Sequence, residues 1–302
     1  MKTTLIIDGG LGRVITAIPA LEVYVENNPD TIILTNFWTS LFWGNKKLTK
    51  HVFDVSTKGI FDVIKYTKIV KPEPYHNSDY LQGKIHLMDA WNVEINNSTD
   101  KLPTPKIYLT KTELNNMSFI RNNYYTKIIA FQPFGSTAVF DQSGVLDNSQ
   151  RSLNRETTEK IIKMLKDEGY GIWLMSDKVV PFLDYSNLMG VGSSNLREVF
   201  GLLYHCDYFL GIDSCGQHMS RALNIPGTVI MGGTNTINVT YPDYFNILNH
   251  RDDREYMPYR IAEFDTALSE LSNHDIMDFT DKEIHLMCKN IKKHIAKTVR
   301  TR

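Results

Sequence analysis

The chain has little cysteine, no long apolar run and almost no net charge. Its 302 residues include three cysteines, Cys206, Cys215 and Cys288, none in a Cys-x-x-Cys spacing. This argues against a zinc site or a disulfide framework. No run approaches the roughly 20 apolar residues that a membrane span needs. A net charge of −1 provides no global field to attract nucleic acid or an anionic membrane.

The N-terminal residues could mimic a secretion signal, because Lys2 precedes an apolar run that starts at Leu5. Asp8, Gly9 and Arg13 interrupt that run before a signal-like apolar segment of useful length forms. With few cysteines and an ordinary globular composition, we expect a cytoplasmic protein.

The first half of the chain alternates between strand and helix patterns. A β-rich run at 4–7 leads through a glycine turn into apolar residues at helical spacing over 14–25, followed by a second strand at 31–35. Pro19 predicts a kink or a late helix start. We also expect a helix at 84–93, a strand at 106–109 and a helix at 111–122. A strand–helix–strand opening predicts a parallel sheet with helices on its faces.

A second α/β pattern begins with a strand at 127–131 and a long polar loop to residue 150. Asn154 then caps a helix at 155–166, and further strands and helices follow. We therefore expect two Rossmann-like α/β domains, an N-terminal one at 1–125 and a C-terminal one at 126–279. A helical segment at 280–302 follows, which we place back against the N-terminal domain.

The most informative stretch is 208–226, which predicts a buried strand, a sharp polar turn and a helix. The turn places Ser214 and Gly216 at the start of that helix. Free N–H groups and a partial positive charge make a helix N-terminus a favourable anion site. Another strand at 227–231 follows, and this layout holds phosphorylated ligands beyond the carboxyl ends of parallel strands.

Four segments resemble motifs of glycosyltransferase family nine, the lipopolysaccharide heptosyltransferases. Residues 8–21 are similar to the family's N-terminal signature, and 131–136 to its His-Pro-Gly-Ser loop. Residues 213–219 resemble its Asp-Ser-Gly-Pro-Met-His element with one residue inserted or shifted, and 230–234 its Phe-Gly-Pro-Thr loop. Arg151 resembles the basic residue after the second motif. The four segments lie in the family's order across both halves of the chain. One interpretation is a bacteriophage member of the family, which would act in the host cytoplasm.

The resemblance implies an α/β protein of the GT-B fold, with two Rossmann-like domains whose parallel sheets face a cleft. It implies that the domain at 1–125 binds the acceptor and that the domain at 126–279 binds the nucleotide-sugar donor. It implies a nucleotide-sugar as co-substrate and no cofactor or obligatory metal, in agreement with the lack of an Asp-x-Asp motif. The family's Gly-Asp pair, which supplies the general base, is Gly12-Arg13 here. Because arginine cannot take a proton, Asp8 is the substitute that we expect.

These considerations give two sets of candidate residues. The catalytic candidates are Asp8 as base, Arg13 facing the donor phosphates, and His218 as a donor to a phosphate or sugar oxygen. The donor-binding candidates are Gly10, Gly12, Ser136, Arg151, Ser176, Asp213, Ser214, Cys215, Gly216, Gln217, Gly232 and Thr234. Structural interpretations stand beside these: helix caps for Asp8, Asp213 and Ser214, tight turns for the glycines, a surface ion pair for Arg13 and a solvated loop cation for Arg151.

The sequence therefore predicts a metal-independent glycosyltransferase with a hydroxyl acceptor, either a saccharide or a hydroxymethylated base in phage DNA. The Asn/Lys/Ile-rich composition and a lysine-rich tail after Lys289 are compatible with the DNA acceptor. Two alternatives stay open: a nucleotide-sugar epimerase or hydrolase, and a nucleotide-binding relative that has lost catalysis.

Overall fold

A computed structural model describes residues 2–121, 125–147, 149–193, 195–232, 234–249 and 277–298. The strands are β1 Thr3–Ile7, β2 Ile32–Thr35, β3 Val52–Asp54, β4 Lys68–Val70, β5 Ile128–Gln132, β6 Val139–Phe140, β7 Val145–Leu146, β8 Gly171–Leu174, β9 Gly190–Val191, β10 Tyr208–Ile212, β11 Gly227–Met231 and β12 Asn246–Asn249. The helices are α1 Leu11–Asn27, α2 Ile60–Ile64, α3 Ser78–Leu81, α4 Leu87–Asn96, α5 Lys111–Met117, α6 Arg155–Asp167, α7 Leu196–His205, α8 Cys215–Ala222, α9 Thr236–Val239 and the C-terminal helix Asp281–Lys297.

The first sheet has the strand order β3-β2-β1-β4, and all its pairs are parallel. Strand β1 lies between two neighbours that are reached by connections running in opposite directions. This is a topological switch point, and open α/β sheets bind ligands in the crevice beyond the carboxyl ends of the strands at such a point. Asp8 follows β1 and Lys71 follows β4, so both lie at this crevice.

The second sheet has the order β12-β11-β10-β5-β8-β9 and is also fully parallel. Its strands are nearly continuous apolar runs, as expected for strands covered on both faces. The switch point lies between β5 and β10. Gln132 at the end of β5 and Asp213 just after β10 therefore mark the crevice of this half.

The two halves meet through helices α1 and α8, which pack against each other. One apolar cluster includes Leu5 and Ile33 of the first sheet together with Phe209 and Val229 of the second. Helix α1 can approach α8 closely because residue 12 is glycine. A Cβ at Gly12 would lie 2.7 Å from Cδ2 of His218 and 3.3 Å from Cα of Cys215. The contact directs the two switch-point crevices towards a common cleft.

Most elements expected from the sequence are present, including the opening strand–helix–strand unit and the capping box of Thr110 with Glu113 on α5. Three expectations were wrong. Helix α1 starts at Leu11 and includes Pro19, so the late start expected from this proline is wrong; the φ that proline fixes is compatible with a helix. Residues 106–109 form no strand, and the Ile107 N–H donates to the carbonyl of Ala222 instead. The loop after β5 contains the antiparallel pair β6 and β7.

The C-terminal helix packs on the C-terminal half, against α6 and β11, rather than back on the N-terminal domain. Its apolar face, Ile284, Met287, Cys288, Ile291 and Ile295, joins the cluster around the second sheet. That face is complementary to the amphipathic helix α6, which explains the placement. Within the described residues, no helix is long and apolar enough to cross a bilayer. The division into domains at 125 and 279 stays a proposal.

Replacing Gly12 with alanine should destabilise the protein by about 1–3 kcal/mol, because the new Cβ overlaps a buried histidine and the backbone of α8. Chemical denaturation of the two proteins measures this difference. Gly10→Ala is the matched control: a Cβ at Gly10 meets nothing within 4 Å, so a change of about 0.5 kcal/mol or less is expected. Equal effects of the two substitutions would contradict this account of the α1–α8 contact.

Candidate functional site

A cleft of about 1190 Å³ lies between the two halves, beyond the carboxyl ends of both sheets. Twelve of the fifteen candidate residues line it: Asp8, Gly10, Gly12, Arg13, Ser136, Arg151, Ser176, Asp213, Ser214, Cys215, His218 and Thr234. Gly216, Gln217 and Gly232 do not line it; each makes a packing or hydrogen-bonding contact that is described below. The fold thus brings together residues from four separated sequence motifs.

Asp8 lies on the N-terminal wall of the cleft, directly after β1. Its carboxylate is 36% exposed and pairs with Lys71, whose Nζ lies 2.8 Å from Oδ2. The hydrogen bond and the attraction of Asp8 raise the pKa of Lys71. The N-cap of α1 is Gly10, and no side chain caps this helix. Asp8 therefore does not cap α1, and its carboxylate faces the cleft.

Arg13 forms a buried ion pair instead of a surface one. Its Nη2 lies 3.0 Å from Oε2 of Glu73 and 3.6 Å from Oδ1 of Asp8, and its side chain is 8% exposed. The guanidinium also stacks over the rings of Tyr75 and Trp91. These contacts hold the charge of Arg13 on the N-terminal wall. Arg13 therefore positions Asp8 and Glu73 and does not extend across the cleft.

Ser214 and Asp213 begin the opposite wall. Ser214 is the N-cap residue of α8 in an extended conformation, but its side chain makes no capping bond. Asp213 accepts a hydrogen bond of 2.6 Å from Nε2 of Gln217. Burial raises the pKa of Asp213, and the nearby guanidinium of Arg151 offsets only part of this effect. Gln217 is fully buried and therefore orients Asp213 from behind the wall.

The first turn of α8 is partly occupied by the protein itself. The N–H of Gly216 donates to Oε1 of Gln132 at 2.9 Å. A Cβ at Gly216 would lie 2.2 Å from that same oxygen, so glycine is required for close packing of α8 on β5. Cys215 accepts from Nε2 of Gln132 at 3.6 Å, and burial raises the pKa of its thiol. One amide that we assigned to anion binding is thus already paired.

Arg151 is held at the cleft by a polar loop. Its Nε donates to Oγ of Ser149 at 3.1 Å, and its Nη1 donates to the carbonyl oxygen of Asp213 at 3.2 Å. Asp147 organises this loop by accepting hydrogen bonds from Thr137, Ser149 and Ser152. Burial would raise the pKa of Asp147, but these hydrogen bonds prevail and lower it. Arg151 is therefore a positioned cation at the second switch point.

Ser136 and Ser176 lie along the same wall. Lys178 donates from Nζ to the carbonyl oxygens of Ser136 and Ala138 at 2.8 and 2.7 Å, which fixes the loop after β5. The hydroxyl of Ser176 donates to the carbonyl of Lys178, so it stabilises its own turn. Both serines line the cleft. The hydroxyl of Ser176 is already engaged in a hydrogen bond within its own turn.

Thr234 lines the cleft after β11, but Gly232 does not. A Cβ at Gly232 would lie 2.4 Å from the carbonyl oxygen of Gln150, so this glycine permits close backbone packing. Two tryptophans differ in the same way, because one lines the cleft and the other does not. Trp38 lines the cleft and donates from Nε1 to the carbonyl of Gly9 at 2.9 Å. Trp91 is fully buried and packs in the core.

His218 connects the cleft to the contact between the halves. Its Nδ1 lies 2.9 Å from the hydroxyl of Tyr241. Burial lowers its pKa from 6.5 to about 3, with repulsion from His86 and Arg151 adding to the effect. The imidazole is therefore neutral near pH 7 and can donate one hydrogen bond to a ligand, but it supplies no positive charge.

Sequence reasoning missed several residues of the cleft. The short strand β4 was not recognised, so Lys71 and Glu73, which follow it, were not assigned to the cleft. Recognising β4 would have placed both beside Asp8. Lys178 and Asp147 act through contacts with residues that are distant in sequence, and no local pattern indicates them. In the described part of the chain, no group of three or more His, Cys, Asp or Glu could hold a metal ion.

Among solved structures, the chain is similar to a family 9 glycosyltransferase of Veillonella parvula, with a TM-score of 0.69, 11% identity and 98% coverage of both chains. It is also similar to TibC of enterotoxigenic Escherichia coli, an iron-containing dodecameric heptosyltransferase solved with ADP-D-β-D-heptose. There the TM-score is 0.62 at 12% identity, with 99% of this chain and 79% of that chain covered. The E. coli ADP-heptose lipopolysaccharide heptosyltransferase II gives 0.56 at 12% identity, with coverages of 90% and 97%.

No family model matches the sequence, and no curated protein matches it either. At 11–12% identity the structural similarity is one of fold. The protein has the α/β GT-B fold of glycosyltransferases, with two parallel sheets facing a cleft, which confirms the fold expected from the motifs.

Stability should decrease in mild acid, since burial keeps His218 neutral in the folded protein. The unfolded chain binds this proton near pH 6.5 and the folded protein only near pH 3. Through His218 alone, the free energy of unfolding should therefore fall as the pH drops through this range, by at most about 1.4 kcal/mol per pH unit. His86, whose burial lowers its pKa to about 4, acts in the same direction.

Urea denaturation between pH 7 and pH 5 checks this. His218→Gln should show a shallower loss of stability than the wild type. His285→Gln, on an exposed position of the C-terminal helix, should keep the wild-type slope. An unchanged slope in His218→Gln would show that this histidine already titrates in the folded protein.

Proposed function

We propose that the protein is a glycosyltransferase that moves a sugar from a nucleotide-sugar donor to an acceptor hydroxyl. The observation that carries this proposal is the arrangement of the cleft. A carboxylate, Asp8, lies on one wall, and a positioned cation, Arg151, lies with the first turn of α8 on the other. Sugar transfer needs one group to accept the acceptor's proton and another to stabilise the departing diphosphate.

The donor diphosphate would bind at the C-terminal wall. The guanidinium of Arg151 can form charge-assisted hydrogen bonds to phosphate oxygens, and the N-terminus of α8 adds a favourable dipole. Ser214, whose hydroxyl does not cap the helix, and His218, as a neutral N–H donor, lie on the same turn. Thr234 and Ser136 would contact the remainder of the donor from the neighbouring loops.

The acceptor hydroxyl would bind at the N-terminal wall, near Asp8. As the acceptor oxygen forms a bond to the anomeric carbon, the bond from that carbon to the diphosphate breaks and the proton passes to Asp8. Lys71 and Arg13 hold the Asp8 carboxylate in place. Trp38 offers an aromatic surface beside it, suited to a sugar ring.

The identities of the donor sugar nucleotide and of the acceptor are proposals as well. ADP-heptose is the first donor to test, because TibC was solved with it. A saccharide acceptor fits the heptosyltransferases among the similar structures. The alternative, a hydroxymethylated base in phage DNA, rests on composition and on lysines of the C-terminal helix. One of these lysines, Lys292, pairs with Glu168, so part of the positive charge on which this alternative rests is compensated within the protein.

Arg151→Gln should weaken binding of nucleoside diphosphate by about 10- to 100-fold, as expected for the loss of a charged hydrogen-bond donor. Calorimetry with ADP, UDP and GDP, used separately, measures the affinity. Arg155→Gln is the matched control, since Arg155 pairs with Glu159 outside the cleft. Equal affinity in wild type and Arg151→Gln would place the diphosphate elsewhere.

Asp8→Asn should abolish transfer, with a loss of at least about 100-fold in kcat, while nucleotide affinity stays within about twofold of the wild type. Release of nucleoside diphosphate from a panel of nucleotide sugars, with saccharides or hydroxymethylated DNA as acceptors, provides the assay. Asp167→Asn, at the exposed end of α6, is the control.

The same assay separates the alternatives. Conversion of the donor without any acceptor would indicate an epimerase or hydrolase. Nucleotide binding without turnover, unaffected by Asp8→Asn, would indicate a relative that has lost catalysis.

A further inference from the structure

The N-terminal sheet has two unequal faces. Side chains alternate along β1, so that Leu5 points into the large core between the halves and Ile6 points to the opposite face. Helix α2, of five residues, covers this opposite face through Ile60 and Ile64. The strand residues beneath it, Thr4, Ile32 and Leu34, are buried, whereas apolar side chains on the two edge strands and on the outer side of α2 are exposed. We call this surface the α2 face.

Five apolar side chains on or around α2 are exposed: Phe53 (37%), Phe61 (73%), Val63 (49%), Tyr66 (78%) and Ile69 (51%). The strand register places two of them on the α2 face. Phe53 pairs with Leu34, and Ile69 pairs with Thr4. Leu34 packs with Ile6, and Thr4 lies two residues before it on the same face. Phe61, Val63 and Tyr66 extend this surface along α2 and the turn after it.

Lysines surround the apolar residues. Residues 46–71 contain seven lysines against two aspartates, with no arginine or glutamate. This segment carries a net charge of +5 in a chain whose total is −1, so the remainder carries −6. Lys58, Lys65 and Lys68 are exposed next to the apolar side chains. The Nζ of Lys65 lies 5.2 Å from the centre of the Tyr66 ring.

We propose that the α2 face docks on an anionic lipid bilayer surface. Exposed aromatic and aliphatic side chains can enter the headgroup region, while the lysines beside them bind acidic lipid headgroups. Three of the seven lysines pair with carboxylates, Lys47 with Glu26, Lys65 with Asp62 and Lys71 with Asp8. The exposed Lys58 and Lys68, beside the apolar side chains, provide positive charge for acidic headgroups. A second copy of the chain fits less well, because a symmetric contact would bring two sets of lysines together.

The placement of this face also relates it to the cleft. Strand β4 leads from Ile69 on the α2 face to Lys71 on the cleft wall, two residues further along. At the rise of an extended strand, two residues span about 7 Å. A bilayer at the α2 face would therefore lie close to the cleft. The docking proposal itself concerns binding alone and does not depend on the proposed sugar transfer.

Flotation with lipid vesicles tests the proposal on the full chain. Vesicles of phosphatidylcholine with about one third phosphatidylglycerol should bind the wild type, whereas vesicles of pure phosphatidylcholine should not. Lys58→Glu with Lys68→Glu should reduce the partition coefficient by roughly thirtyfold or more, since each lysine contributes about a factor of five. Phe61→Ser with Tyr66→Ser should reduce it by about tenfold or more.

Matched controls come from exposed positions elsewhere. Phe119→Ser replaces an aromatic ring that is 71% exposed, and Lys289→Glu with Lys293→Glu reverses two exposed charges of the C-terminal helix. Both should bind vesicles like the wild type. Circular dichroism verifies that each variant is folded.

Three results would overturn the proposal. One is wild-type binding to anionic vesicles that the α2-face variants retain in full. Another is no vesicle binding combined with a self-association, seen by sedimentation velocity, that Phe61→Ser with Tyr66→Ser abolishes. The second result would assign the face to a contact between copies. The third is absence of both kinds of binding, which would also refute docking on lipid.

Discussion

The close approach of helices α1 and α8 at Gly12 is the constraint on which the rest of the site depends. The missing side chain lets the first helix of one half reach the backbone at Cys215 and the ring of His218 in the other half. This contact directs the switch points of both sheets towards one cleft. Asp8 and Arg151, which lie 143 positions apart in the printed sequence, therefore line the same cavity.

The two walls use their charges differently. On the N-terminal wall, Asp8, Arg13, Lys71 and Glu73 form a connected set of ion pairs that leaves the Asp8 carboxylate facing the cleft. On the C-terminal wall, Arg151 is held by Ser149 and by a backbone carbonyl, with no carboxylate among its hydrogen-bond partners in the described chain. A cation held by neutral groups keeps its charge available to an anion, whereas a cation paired with carboxylates does not. This difference favours phosphate binding near Arg151 rather than near Arg13.

Much of the fold could be predicted from sequence, because long apolar runs and capping residues specify local structure directly. The strand–turn–helix at 208–222 and the capping box at Thr110 are examples. The site could be predicted only in outline, since its details depend on tertiary contacts. The pairing of Gly216 with Gln132 and the packing role of Gly232 both arise from distant segments. The edge strand β4 has three residues, which is too few to give a clear periodic signal. Because this strand was not recognised, Lys71 was not assigned to the cleft.

The central claim is that a diphosphate binds between Arg151 and the first turn of α8. A crystal structure of the protein with a nucleoside diphosphate, starting with ADP, measures this most directly. Phosphate oxygens should lie within hydrogen-bond distance of the Arg151 guanidinium and of the backbone N–H groups that begin α8, except that of Gly216, which donates to Gln132. Diphosphate density on the N-terminal wall beside Arg13, with Arg151 still bound to the carbonyl of Asp213 and remote from the ligand, would contradict it.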